Sequence, residues 1–216
     1  MADAVLLSGG GDFVDPWHPF AETAARIVDV LAETGVRTTI VDTAAAFAAA
    51  LGAGARLAVV QASNDFAPTP HDGVVIDALA THLGAGRPLL AVHSAACLFA
   101  DRPEWERMLG GRWVPELSYH PELGPARASL APHPITEGLA EVEVVDERYT
   151  ALRVSPDAEV LAWHEEAGAR HPLAWARRHG DARVVYDALG HDARSYESPT
   201  RRALLAAEVR WLLAAG

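Results

Sequence analysis

The segment Leu89-Leu90-Ala91-Val92-His93-Ser94-Ala95-Ala96-Cys97 drives an apolar run into a cluster of small residues. It reads as a buried strand entering a helix through His93, which has alanine two positions away on each side, at Ala91 and Ala95. A sharp strand–turn–helix elbow requires small residues at those flanks because the backbone folds back on itself, and it presents the central side chain at the edge of a sheet. Centring the elbow on Ser94 would put bulky Val92 at a flank. Cys97 falls one turn past the tip and reads as a packed core thiol rather than a nucleophile.

Outward from this elbow, the first half of the chain alternates apolar runs with amphipathic segments. Ala4–Ser8, Thr38–Val41, Leu57–Gln61 and Pro88–Val92 read as strands. From Phe20, helical spacing puts Ala24, Ile27, Val28 and Leu31 on one face and stops at Gly35; Thr43–Leu51 and Asp72–Leu83 are the next helices. Repeated strand–helix units imply a parallel sheet covered by helices on both faces, with ligands bound beyond the carboxyl ends of the strands.

From Pro103 to Pro134 the chain is punctuated by prolines, and then it becomes strand-rich: Glu141–Asp146, Glu159–His164, Leu173–Arg177 and Ala182–Ala188. His179-Gly180-Asp181 reads as a hairpin turn. Ser198-Pro199 offers an N-cap and a first-turn proline to a final helix carrying Leu204, Leu205, Val209, Leu212 and Leu213. No linker or repeat divides residues 1–216, which are expected to form one α/β domain with an antiparallel C-terminal extension.

Composition narrows the chemistry. The 216 residues are 50% hydrophobic and 22% charged, a globular balance. All 18 basic residues are arginine, so Schiff-base and phosphate-loop lysine chemistry is excluded. Acid–base work near neutrality falls to the 10 histidines and the carboxylates. A net charge of −11 opposes binding to nucleic acid or an anionic membrane. The single cysteine precludes an intrachain disulfide and a multi-cysteine zinc site, and fits a reducing compartment. The N-terminus shows no secretory pattern, and the most apolar stretch, residues 43–62, is broken by Gly52, Gly54 and Arg56. A soluble cytoplasmic protein is expected.

His18, His120, His133 and His171 each precede a proline, which disfavours helix and places them in loops or at strand ends. His71, His82, His164 and His179 carry no motif and read as surface or structural. The strand ending at Leu189 breaks at Gly190 into His191-Asp192, which should project past the sheet edge. Asp146-Glu147-Arg148-Tyr149 follows another strand, and alternation turns only some of these side chains inward. Gly9-Gly10-Gly11 with Asp42 is a poor dinucleotide loop, since Val14 replaces the third glycine and Pro16 and Pro19 precede the helix. No His-Glu-x-x-His helix exists, yet His18, His93 and His191, from three strand ends, offer nitrogen ligands suited to zinc with an open position.

Taken in order, these segments resemble the ThuA-like family, the trehalose-utilisation group whose fold is similar to class I glutamine amidotransferases. The resemblance runs through His18-Pro19-Phe20, Val92-His93-Ser94-Ala95, Gly110-Gly111-Arg112-Trp113 and His120-Pro121. It continues through His133-Pro134-Ile135-Thr136-Glu137-Gly138-Leu139, Asp146-Glu147-Arg148-Tyr149, Pro172-Leu173-Ala174-Trp175 and Arg183-Val184-Val185-Tyr186, then Leu189-Gly190-His191-Asp192 and Trp211. Asn64 and Asp65, after the third strand, match only loosely. The resemblance implies a flavodoxin-like, class I glutamine amidotransferase-like α/β sandwich: a mostly parallel central sheet, helices on both faces and an antiparallel C-terminal extension.

It also implies a mechanism. In amidotransferases of this fold the elbow holds a cysteine nucleophile activated by a late histidine; here His93 stands in the cysteine's place and His191 resembles the late histidine. An imidazole cannot form the thioester of glutamine hydrolysis. The family's link to disaccharide and keto-sugar catabolism implies proton transfer on a sugar derivative. His93 and His191 would share the acid and base roles, oriented by Glu147 and Asp192, and a helix after His93 would favour its neutral form. His18 and Tyr149 would bind hydroxyls, with Ser94 and Trp17 among the substrate contacts; Trp17, Trp113 and Trp175 would offer flat apolar faces to a sugar, although core packing is the commoner use of each. A metal-dependent hydrolase built on His18, His93 and His191 is the alternative, and a non-catalytic binding protein on the same scaffold is another. The expected partner is a small sugar derivative, the one cofactor these residues would accommodate is a divalent metal such as zinc, and a homo-oligomer stays open.

Overall fold

Three runs in which every residue is buried, β1 (Ala4–Ser8), β3 (Leu57–Gln61) and β4 (Leu89–Val92), lie side by side in a parallel sheet. Continuous burial is what a strand covered on both faces requires. β2 (Thr38–Val41), half-exposed, lies at the edge beside β1. The computed structural model describes residues 3–214. Between these strands come α1 (Phe20–Glu33), α2 (Ala44–Gly52) and α3 (Asp72–Gly84). Gly35 takes a left-handed φ of 82° just past α1, and the Thr43 hydroxyl caps α2 by accepting the Ala46 N–H.

The second half contains α4 (Pro103–Leu109), β5 (Gly111–Arg112), β6 (Gly124–Leu130), β7 (Val142–Asp146), β8 (Arg153–Val154), β9 (Glu159–Glu166), β10 (Ala169–His179), β11 (Ala182–Asp187) and α5 (Pro199–Leu213). One nine-stranded sheet runs β2-β1-β3-β4-β11-β10-β9-β6-β7, parallel through β11 and antiparallel beyond it; β5 and β8 form a separate ribbon. α1 packs with α5 on one face of the sheet and α2 with α3 on the other. The chain moves outward from β1 to β2 and then back across to β3, so the crevice at the carboxyl ends of the parallel strands is the switch point where such sheets bind ligands. This is the α/β sandwich that the sequence implied.

Two local expectations change. The helix after His93 is instead a 3-10 turn over His93–Cys97, and α4 begins only at Pro103. Carbonyls that would have carried a helix onward are taken by tryptophans: Ala95 O accepts the Trp105 indole N–H at 2.9 Å and Ala96 O accepts Trp113 N at 3.1 Å. So short a turn has little macrodipole to act on the His93 ring. The proline-punctuated stretch holds β6, a half-exposed strand whose pattern is too weak to read. β10 is longer than expected and shifts register around Leu173, the mark of a bulge that bends and twists the antiparallel wing.

α5 buries more than its leucines. Arg201 and Glu208 are both fully buried on it, against Asp187 at the end of β11. The Arg201 Nη1 lies 3.0 Å from Asp187 Oδ2. With two carboxyls and one guanidinium removed from water, burial and then the neighbouring Asp187 charge hold the Glu208 carboxyl well above its ordinary range. An acid raised in this way adds stability below its unfolded pKa and loses it as pH rises toward the folded value. Glu208→Gln, which imitates the protonated form, should therefore gain in melting temperature relative to wild type as pH is raised above about 4.5. A melting difference that stays constant across that range would contradict the assignment.

Candidate active site

The loop after β1 places the first histidine. Asp15 accepts the backbone N–H groups of Trp17 and His18 at 2.9 and 3.0 Å, and both its oxygens lie 2.7–2.8 Å from His18 Nδ1. Burial works against the Asp15 charge, but hydrogen bonding and charge from His18, with a further bond from Ser63, win and hold it at about 2. Burial is also the largest influence on His18 and lowers its pKa despite Asp15.

His93 stands at the tip of the elbow with φ 51°, a left-handed backbone that costs non-glycine residues roughly 1–3 kcal/mol. Its backbone carbonyl accepts the Tyr186 hydroxyl at 2.8 Å, and its ring is buried. Nδ1 lies 2.6 Å from Ala188 O, which can only accept; Nδ1 therefore carries a proton, and the neutral tautomer that this contact selects has its lone pair on Nε2. That Nε2 faces His18 Nε2 and Tyr149 Oη, each at 3.1 Å, and Glu147 Oε2 at 3.5 Å.

The third strand end, β11, turns at Gly190, whose φ is 126° and where a Cβ would fall 2.4 Å from Tyr196 Oη. Asp146 secures this turn from the end of β7. Its Oδ2 accepts Gly190 N at 2.7 Å, and its Oδ1 accepts His191 N at 3.1 Å and Glu147 N at 2.9 Å. His191 Nδ1 then lies 3.2 Å from Glu147 Oε2. Burial opposes charging of His191, but the Glu147 carboxylate outweighs it and raises the pKa. Glu147 in turn is held well below the usual carboxylate range: burial pushes it up, while hydrogen bonds and charge from His191 and His93 pull it down.

Five of the residues picked out from sequence therefore meet: His18, His93, Glu147, Tyr149 and His191. Ligand atoms of His18, His93, Glu147 and His191 all lie within 4.8 Å of one another, a set capable of coordinating a metal ion. The others lie elsewhere. Asp192 caps the turn at Ala193–Glu197 and pairs with the Arg194 guanidinium, so the backbone at His191 is oriented by Asp146 instead. Ser94 is buried with its hydroxyl 3.4 Å from Ala62 O. Trp17, beside His18, is 67% exposed. Trp113 sets its edge against the Tyr149 ring, and Trp175 is buried in the core. Ser63, rather than Asn64 or Asp65, touches the Asp15 carboxylate.

Sequence reasoning gave no site role to Asp15, Asp146 or His120. His120 Nε2 comes within 3.6 Å of Glu147 Oε1, and its ring stacks on Tyr149. The one available signal was its His-Pro pair; Asp15 lay three residues before His18, at the spacing of a local side-chain cap. Cys97 is buried with its thiol pushed far up by desolvation, so the chain has no cysteine nucleophile. A surface groove of about 860 Å³ is lined by residues including Arg127, Arg148, His164 and Arg194 and by none of the five clustered residues.

The chain matches the family model for ThuA, trehalose utilisation, over residues 14–212. It belongs to the ThuA family. Among solved structures, it is similar to a protein of Parabacteroides merdae described as ThuA-like, with 16% identity, a TM-score of 0.78, and 97% of this chain and 88% of that one covered. A protein of Bacteroides uniformis with the same description gives 17% identity, a TM-score of 0.75, and coverage of 97% and 90%. A Thermoplasma acidophilum protein described as a GMP synthase component gives 18% identity, a TM-score of 0.60, and coverage of 95% and 91%. At these identities the likeness establishes the fold. No curated protein matches this ThuA chain. Among its described residues, no helix is long and apolar enough to cross a membrane.

Proposed function

We propose that this chain is a carbohydrate-metabolising enzyme that transfers protons on a sugar derivative, with His93 and His191 as its working pair. The observation that carries this reading is the fixed tautomer of His93: Ala188 O holds the proton on Nδ1, so the Nε2 lone pair points into the cluster as a base. Glu147 supports the opposite role for His191, because it raises the pKa of that ring and so favours its charged, donating form. Tyr149 and His18 flank His93 Nε2 and would bind substrate oxygens. The trehalose-utilisation family supports a disaccharide or its keto derivative as the substrate class. Conversion of an oxidised disaccharide, followed by NMR, should require both histidines, and the protein should leave glutamine intact; glutamine hydrolysis would contradict this reading.

A second reading, the metal-dependent hydrolase, is favoured by one contact. His18 Nδ1 faces both oxygens of Asp15 and His93 Nδ1 faces Ala188 O, so both Nε2 lone pairs meet head-on at 3.1 Å. Two lone pairs at that distance repel unless a proton or another cation lies between them, and burial opposes protonation of His18. Histidines whose second nitrogen is held by a carboxylate or carbonyl are the usual pattern around a metal. The nitrogen-rich donor set fits zinc, with His18, His93, His191 and Glu147 as the residues that would hold it. Such an ion supplies Lewis acidity to a bound oxygen. Elemental analysis of protein purified without a histidine tag separates the readings: stoichiometric zinc favours the hydrolase, and full activity in metal-free protein excludes it.

A further inference from the structure

The strip Ala188-Leu189-Gly190-His191 sets the working geometry of the site, since Ala188 O selects the His93 tautomer and His191 meets Glu147. Asp146 holds the N–H groups of Gly190 and His191. Leu189 is held by different residues. Its N–H donates to Asp187 Oδ1 at 2.9 Å, and its carbonyl accepts Arg201 Nη2 at 3.1 Å. One ion pair therefore grips both polar backbone groups of a single residue, the one that follows Ala188 and precedes Gly190. Asp187 and Arg201 are each 0% exposed, and the pair is closed by Arg201 Nη1 at 3.0 Å from Asp187 Oδ2.

A buried pair of this kind is a poor device for stability alone. Removing two charges from water costs about as much as their attraction returns, and well-packed apolar residues in their place are often equally stable or more so. A guanidinium and a carboxylate do have a property that an apolar pair lacks: directional bonds that fix both peptide planes flanking a residue. We propose that Asp187 and Arg201 are positioning residues of the site, holding the strip in the register that gives His93 a single tautomer and His191 its carboxylate partner. This rests on the reading of His93 and His191 as the working pair, but its test needs no substrate.

The test uses the full chain and two variants. In the first, Asp187→Leu, Arg201→Met and Glu208→Leu are combined to give a charge-free core. The second, Arg201→Lys, keeps the charge but cannot reach Asp187 and Leu189 O together. Nitrogen-15 NMR of the imidazoles reads the tautomer of His93, and thermal melting reads the fold. The expected result is a cooperative fold in the charge-free variant with loss of the single His93 tautomer signature, as two forms exchange, and the same loss in Arg201→Lys. An unchanged signature in either folded variant would overturn the proposal. So would failure of both to fold, because the pair would then hold the fold rather than the site. Failure of wild type to act on keto-sugars would count against the catalytic reading and leave this result standing.

Discussion

His93→Ala is expected to reduce proton transfer on a keto-disaccharide by about 10²–10⁴-fold, the usual contribution of a positioned acid or base. His191→Ala should do the same while leaving a cooperative fold. His93 occupies left-handed backbone at φ 51°, so His93→Asn, with a side chain that tolerates that conformation, separates lost chemistry from relaxed strain. Asparagine can offer a hydrogen bond but no base of comparable strength, and it should be as inactive as alanine. Initial rates at equal protein concentration check this. Full activity in both histidine variants would mean that neither ring carries the chemistry.

Arg201→Ala should be strongly destabilising, by about 3–5 kcal/mol. The loss comes less from the pair's own attraction than from what is left behind: Asp187 uncompensated, and Leu189 O without its donor, both in the core. For a chain of this size, each kcal/mol lowers the melting temperature by about 2–4 °C, so a drop on the order of 10 °C is expected by calorimetry. A change of only a degree or two would show that the surroundings relax around the charge. The charge-free core, by contrast, should melt close to wild type, and that difference separates a stabilising role for the pair from a positioning one.

Where the sequence spoke clearly, the signal was local. The all-apolar runs of β1, β3 and β4 identified parallel strands, and the Ala91-x-His93-x-Ala95 spacing identified an elbow that does adopt left-handed backbone at its tip. Ser198-Pro199 marked the start of α5, where the serine hydroxyl accepts Arg201 N. What sequence could not show depends on contacts between distant segments. Asp146 reaches the backbone at His191 across 45 residues, so local reasoning gave the orienting role to adjacent Asp192, whose own turn and Arg194 occupy it instead. Arg201 and Glu208 interrupt the leucine face of α5 and would ordinarily count as solvent-facing; only the position of Asp187 at the end of β11 makes their burial intelligible. β6 was hidden because its alternation, Ala126-Arg127-Ala128-Ser129-Leu130, is carried largely by small residues of low strand propensity inside a proline-punctuated stretch.

The central claim is that a histidine pair at the carboxyl ends of β4 and β11 moves protons on a keto-sugar, and solvent hydrogen exchange tests it most directly. Wild-type protein and a keto-disaccharide would be incubated in deuterium oxide, and proton NMR would follow the carbon next to the ketone. The prediction is deuterium incorporation at that carbon far above the uncatalysed rate, abolished in His93→Ala and in His191→Ala. Exchange no faster than in buffer with wild-type protein, or exchange that persists in both variants, would contradict it.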